Sequence, residues 1–158
     1  MKSEDNRSAV IREALRHTEM WLEDLEKHAA SAELRTISFS ATTTAIATLL
    51  VVLAANHANP GVILIGATGC VIATVIALIG ALPRLFHIRG HKWEDWKDHV
   101  TDGDTLDDVL ISQVEENDDR ISQNTRQLES AARSLRGAFA LFFFSICFII
   151  GGSTSSVF

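Results

Sequence analysis

The placement of charge constrains this chain more than any other feature. Its 14 basic and 20 acidic residues all lie within 1–35 and 84–136, and the stretches 36–83 and 137–158 contain none. A helix or strand packed in a water-soluble core normally keeps one polar face, so charge-free runs of this length point to a lipid solvent. The mean hydropathy of +0.16 averages over two phases and describes neither. At about 1.5 Å per residue, 36–57 makes a helix of roughly 33 Å, enough to cross a bilayer core, and 61–82 is as long. Between them Asn56-His57-Ala58-Asn59-Pro60-Gly61 reads as a tight turn without Lys or Arg, so 36–82 is expected to be a transmembrane hairpin. A third segment, 137–158, has its most apolar part at 138–150 and ends in small and hydroxyl residues. It is expected to span as well, driven by transfer of residues such as Phe139, Phe143, Phe144, Phe148 and Ile149.

Basic residues set the orientation. Arg35, Arg84, Arg89, Lys92, Arg133 and Arg136 cluster near the ends of the apolar segments, and none lies in 56–60 or in the tail. The positive-inside rule places the N-terminus inside, the hairpin loop outside, 84–136 inside and the C-terminus outside. The first apolar run begins only after a charged stretch of 35 residues, which does not fit a cleaved signal peptide. Cys70 and Cys147 both fall in apolar segments, so no disulfide framework is implied.

Residues 1–35 read as a cytoplasmic amphipathic helix. Ile11, Leu15, Thr18, Leu22, Leu25, Ala29 and Ala32 recur at alternating spacings of four and three, a heptad seam. No proline separates this helix from the first membrane segment, so the two are expected to be continuous. Residues 83–136 read as a connector and a second cytoplasmic helix, opened by a capping box at Thr105 and Asp108. Its seam is Leu110, Val114, Asn117, Ile121, Asn124, Leu128, Ala131 and Leu135. Two asparagines stand where apolar residues belong, either fixing register or binding a ligand between helices. Helices of this size do not bury a seam alone, so the expected fold is all-α: three transmembrane helices, two long cytoplasmic helices, assembled as an oligomer.

Signatures of catalysis are missing, and the chain reads as a non-enzyme. It has no phosphate-cradling glycine loop, nucleophile elbow or HExxH. The run Asp102-Gly103-Asp104-Thr105-Leu106-Asp107-Asp108 resembles a calcium loop in composition, but its glycine is misplaced and its twelfth position is Gln113. His87 and His91 have helical metal-ligand spacing without a third ligand, so no metal site is expected. Trp93 and Trp96 suit a membrane interface or, less simply, a stacked base. A net charge of −6 and the acidic stretch 102–119 argue against extended nucleic-acid binding. A small anion held by a local basic pocket is compatible with the collar of arginines. In the first apolar segment Thr36, Ser40, Thr43 and Ala47 share one helical stripe, a close-packing face or a pore lining. Gly66, Gly69 and Ala73 make a similar small-residue face on the second.

The order of these elements resembles the transmembrane effectors of the Pycsar (pyrimidine cyclase) anti-phage systems. The resemblance runs over most of the chain. It rests on Glu33-Leu34-Arg35-Thr36 leading from a cytoplasmic helix into the first membrane segment and on Leu82-Pro83-Arg84 closing the second. A helix of the form 111–135 then leads into a third apolar segment from Gly137. Members of that family usually carry Asp-x-Lys-Ala at the first motif and a lysine near the position of 124–126, where this chain has Asn124-Thr125-Arg126. The SLATT-type effectors of nucleotide-signalling systems share the general layout. The resemblance implies a dormant effector in the bacterial inner membrane that binds a cyclic pyrimidine nucleotide, cyclic CMP or cyclic UMP, and then impairs the membrane to stop an infected cell. Arg84, Arg89 and Arg126 are the expected phosphate contacts, and Asn117 and Asn124 the expected base contacts. No bound cofactor is expected; the partners are the bilayer, the nucleotide and other copies of the chain. A constitutive channel using the hydroxyl stripe and a scaffold recruiting a soluble partner are the competing readings.

Overall fold

The computed structural model describes residues 2–56, 60–81, 99 and 101–154, without the side chains of 2–5, 153 and 154. Its elements are α1 (Lys2–Ala55), α2 (Pro60–Ala81) and α3 (Leu106–Thr154), with no strand among the described residues. α1 is continuous over 54 residues, roughly 81 Å, because no proline or glycine interrupts it. It ends where the Asn56 side-chain amide donates to the Val52 carbonyl at 3.0 Å and its backbone N–H to that of Leu53 at 3.1 Å. Pro60 opens α2 at the one helical position where a missing N–H costs nothing. At the start of α3 the Asp108 N–H donates to the Thr105 hydroxyl at 3.3 Å, and that hydroxyl donates to the Asp108 carboxylate at 2.5 Å. This is the capping pair expected from sequence, with the carboxylate turned onto the cap hydroxyl. Gly103, at φ 74°, supplies the left-handed residue of the preceding turn. The second cytoplasmic helix, expected from 105, and the third apolar segment, expected from Gly137, form one helix, since α3 runs unbroken through Gly137.

Contacts divide the chain into two units. The charged unit joins Met1–Ala30 to Arg84–Gln127, and the apolar unit joins Ser31–Pro83 to Leu128–Phe158. In the charged unit α1 and α3 run parallel, side by side. Ser8 donates to both carboxylate oxygens of Asp107, at 2.8 and 3.0 Å, and Asn117 donates to Thr18 at 3.2 Å; both pairs are 99 residues apart. The seams meet as the heptads require: Ile11, Leu22 and Leu25 of α1 and Leu110, Ile121 and both asparagines of α3 are buried. Outward-facing charges pair along the helices, Glu13 with Arg16 at 2.6 Å and Glu23 with Lys27 at 2.9 Å. Such exposed pairs add little to stability.

The apolar unit is built the other way out. Its interior is mostly small and hydroxylated: beside Phe39 and Ile63, the buried residues include Thr36, Ser40, Thr43, Ala47, Ala67, Cys70, Ala73, Ala77, Ala138 and Ser145. Its surface carries the large side chains, including Leu49, Val52, Ile65, Ile79, Phe143 and Phe144. Only 11% of the most apolar stretch of α3 is buried, although that stretch is among the most hydrophobic in the chain. Water would drive the large residues inward; a lipid solvent removes that drive, and small residues then win the interior because they let backbones approach. α2 lies antiparallel to α3. A β-carbon on Gly66 would strike Ile149, one on Gly69 would strike the Ser145 hydroxyl, and one on Gly80 would lie 2.6 Å from Ser134 Cβ. α1 meets α2 through a hydroxyl pair, Thr43 to Thr74 at 2.6 Å, and meets α3 through Phe39, whose ring centroid lies 4.3 Å from that of Phe139. All three helices are long and apolar enough to cross a membrane.

Candidate functional site

The seam of the charged unit holds the polar residues that apolar packing does not explain. Asn117 and Asn124 stand seven residues apart on α3, so they face the same way two turns apart, and both are wholly buried, at 1% and 0% exposure. The hydrogen bonds around Asn117 fix the orientation of its amide. Thr18 is committed as a donor to the Leu15 carbonyl at 2.9 Å, so its oxygen can only accept from Asn117. The Asn117 nitrogen must therefore face Thr18, and its carbonyl oxygen is buried and has no hydrogen-bond partner among the described residues. An orphaned acceptor of this kind costs about 1–3 kcal/mol. Asn124 has an interaction of its own.

Arg120 lies between the two asparagines along α3, three residues after one and four before the other, on the same side of the helix. Its side chain is 16% exposed and is held by Glu116 at 2.6 Å. Sequence reasoning passed over it in favour of Arg126; the signal available was this i+3, i−4 spacing to both seam asparagines. Thr18, the partner of Asn117, was also legible as the polar member of an otherwise apolar seam.

Arg126 is exposed. Two residues beyond Asn124 and nine beyond Asn117, it projects from α3 at about 180–200° to both, so one chain does not bring it to them. Arg84 and Arg89 lie outside the described residues, as do His87, His91, Trp93 and Trp96. Three acids of the 102–108 run have partners: Asp104 binds His99 at 2.8 Å, Asp107 accepts from Ser8, and Asp108 accepts from the Thr105 hydroxyl that caps α3. Among the described residues no group of three His, Cys, Asp or Glu side chains is placed to hold a metal ion. On the outer face of α1 the Arg16 hydrogen bond, helped by His17, holds the Glu13 carboxyl below its ordinary value.

The stripe Thr36, Ser40, Thr43 and Ala47 is internal to the apolar unit, each residue 7% exposed or less. Thr36 donates to the Ala32 carbonyl and Thr43 sits within reach of the Phe39 and Ser40 carbonyls as well as Thr74. Ser40 Oγ is buried and has no hydrogen-bond partner among the described residues. In this packing the stripe is buried within the chain, with Thr43 against Thr74 of α2.

The chain matches no known protein-family profile, no curated protein and no solved structure.

Proposed function

We propose that this protein is a ligand-gated membrane effector, whose apolar unit spans a bacterial inner membrane and whose charged unit is a closed sensor for a cyclic pyrimidine nucleotide. The observation that carries this reading is the orphaned Asn117 carbonyl, an acceptor kept at a cost inside a seam that leucine would fill better. A ring N–H or exocyclic amine of a pyrimidine is the donor it lacks. Arg120 supplies the cation: on binding it exchanges the Glu116 carboxylate for the cyclic phosphate, a like-for-like swap of charge-assisted hydrogen bonds. Asn124, one turn beyond Arg120, offers a second amide for the base or the ribose.

Because both asparagines are buried, ligand enters only when α1 and α3 part locally. Binding therefore selects an opened seam, and a ligand shifts a conformational equilibrium only by its preference for one state. To invert a 1:99 population that preference must reach roughly 5.5 kcal/mol. α1 and α3 each contribute to both units without a break, so a change in how they pack in the sensor bears on the same helices in the membrane. Arg126 joins the site only from a second copy, which is where assembly enters the proposal.

The reading is tested by titrating the detergent-solubilised protein with cyclic CMP, cyclic UMP and cyclic AMP in a calorimeter. Binding of one pyrimidine nucleotide, lost in Asn117→Leu and weakened in Arg120→Gln, supports it. Binding that survives both substitutions moves the site away from this seam, and no binding of any of the three removes the sensor function.

A further inference from the structure

We propose that the apolar unit carries a binding site for an anionic phospholipid of the leaflet facing the charged unit, with Arg35 on the headgroup phosphate and the chain in the groove beside it. The inference rests on the membrane-spanning part of the reading above and is independent of nucleotide sensing. The groove, about 670 Å³, lies between α1 and α3 within the apolar unit. Its walls are Phe39, Phe139 and Phe142 with leucine on either side, and its polar groups are Arg35, Ser38, Thr42 and Thr43. Phe39 packs on Phe139 at 4.3 Å and edge-on to Phe142 at 6.0 Å, so the aromatic wall is built by side chains that hold one another.

Charge complementarity selects the occupant. Arg35 is the last charged residue before the charge-free run 36–83, and it makes no hydrogen bond or ion pair among the described residues. The nearest acid along α1, Glu33, projects about 200° away around the helix, so no carboxylate on that helix competes for the guanidinium from its own side. Ser38 follows Arg35 by one turn and adds a hydroxyl on the same side, while the Thr42 hydroxyl is bound to the Ser38 carbonyl. Cation and free hydroxyl thus stand at the charged end of a groove that is otherwise apolar and open. That is the polarity of a phospholipid lying along the helices: phosphate at the boundary, acyl chain along the aromatic wall. A free phosphate satisfies Arg35 and leaves the aromatic wall uncovered, which is why a lipid is the better occupant.

The test uses native mass spectrometry of the full-length protein released from detergent, with phosphatidylglycerol, phosphatidylcholine or soluble glycerol phosphate added. Retention in alkali-washed membranes checks insertion separately. The expected result is a preference for phosphatidylglycerol over phosphatidylcholine of about fivefold, the size carried by one basic residue at an anionic surface. Arg35→Gln, an exposed substitution, should erase that preference and leave phosphatidylcholine binding as it was. Phe139→Ala should weaken both lipids together. Equal binding of the two lipids by the native chain, or an unchanged preference in Arg35→Gln, overturns the site. Competition by glycerol phosphate overturns the lipid assignment, and loss of the native chain from alkali-washed membranes overturns the membrane reading on which the site depends.

Discussion

At the scale of single residues the account turns on a polar chain of three groups: Asn117 donates to Thr18, and Thr18 to the carbonyl of Leu15. Removing the orphaned acceptor should stabilise the protein even though it removes a hydrogen bond. Asn117→Leu keeps the branching and replaces an unsatisfied carbonyl with methyl groups, so it should raise the unfolding free energy by about 1–2 kcal/mol in urea titration. Thr18→Val alone should lower it by about 1 kcal/mol, because the Asn117 amide then loses its one acceptor. The double variant should behave as Asn117→Leu does, and this non-additivity is the mark of a coupled pair. If Asn117→Leu proves destabilising, the asparagine is a structural register residue with nothing left over for a ligand. By contrast the Glu13 pairing is fully exposed and contributes little. Its carboxyl is held low, so the contribution is present above the ordinary value of 4.5 and fades as pH falls through the depressed one.

Helices, rather than residues, are what the sequence made most legible. The capping box, the two heptad seams and the small-residue faces were all readable, because each depends on local spacing. The pairing of the seams was not. A heptad seam matches its neighbour equally well after a slip of seven residues, and only the polar members Ser8, Thr18, Asp107 and Asn117 select the parallel alignment seen here. Spacing alone left open whether the stripe from Thr36 to Ala47 packs inside the chain or lines a pore, since both uses need the same face of small residues. Nor did the sequence reveal that α3 passes through Gly137 unbroken; a β-carbon there would meet nothing, so that glycine serves no close contact. The contacts that do need glycine are between α2 and α3. Gly69→Val should drive Ser145 out of its place and cost about 1–3 kcal/mol, and Ser145→Gly in the same chain should return part of it. Thermal melts in detergent decide this. An unperturbed Gly69→Val protein would mean that α2 and α3 do not pack at this distance.

At the scale of the whole molecule the two units contrast: a charged helix pair whose seam of Ile11, Leu22, Leu25, Leu110 and Ile121 is buried, and an apolar unit that leaves most of its large side chains exposed. Insertion with the proposed orientation predicts that Asn56→Cys, in a chain whose Cys70 and Cys147 are replaced by alanine, reacts with an impermeant maleimide added outside intact cells. A cysteine replacing Ser122, exposed on α3, should react only after the cells are opened. The reverse pattern inverts the topology and takes the sensor out of the cytosol. The central claim, that ligand opens the membrane through the charged unit, is tested most directly by dye leakage from liposomes containing the purified protein. Cyclic CMP, cyclic UMP, cyclic AMP and buffer alone are compared, with Asn117→Leu beside the native chain. The account predicts leakage with one pyrimidine nucleotide, none with buffer, and none with Asn117→Leu under any condition. Leakage without nucleotide, or no leakage from fully inserted protein with any of the three, would contradict it.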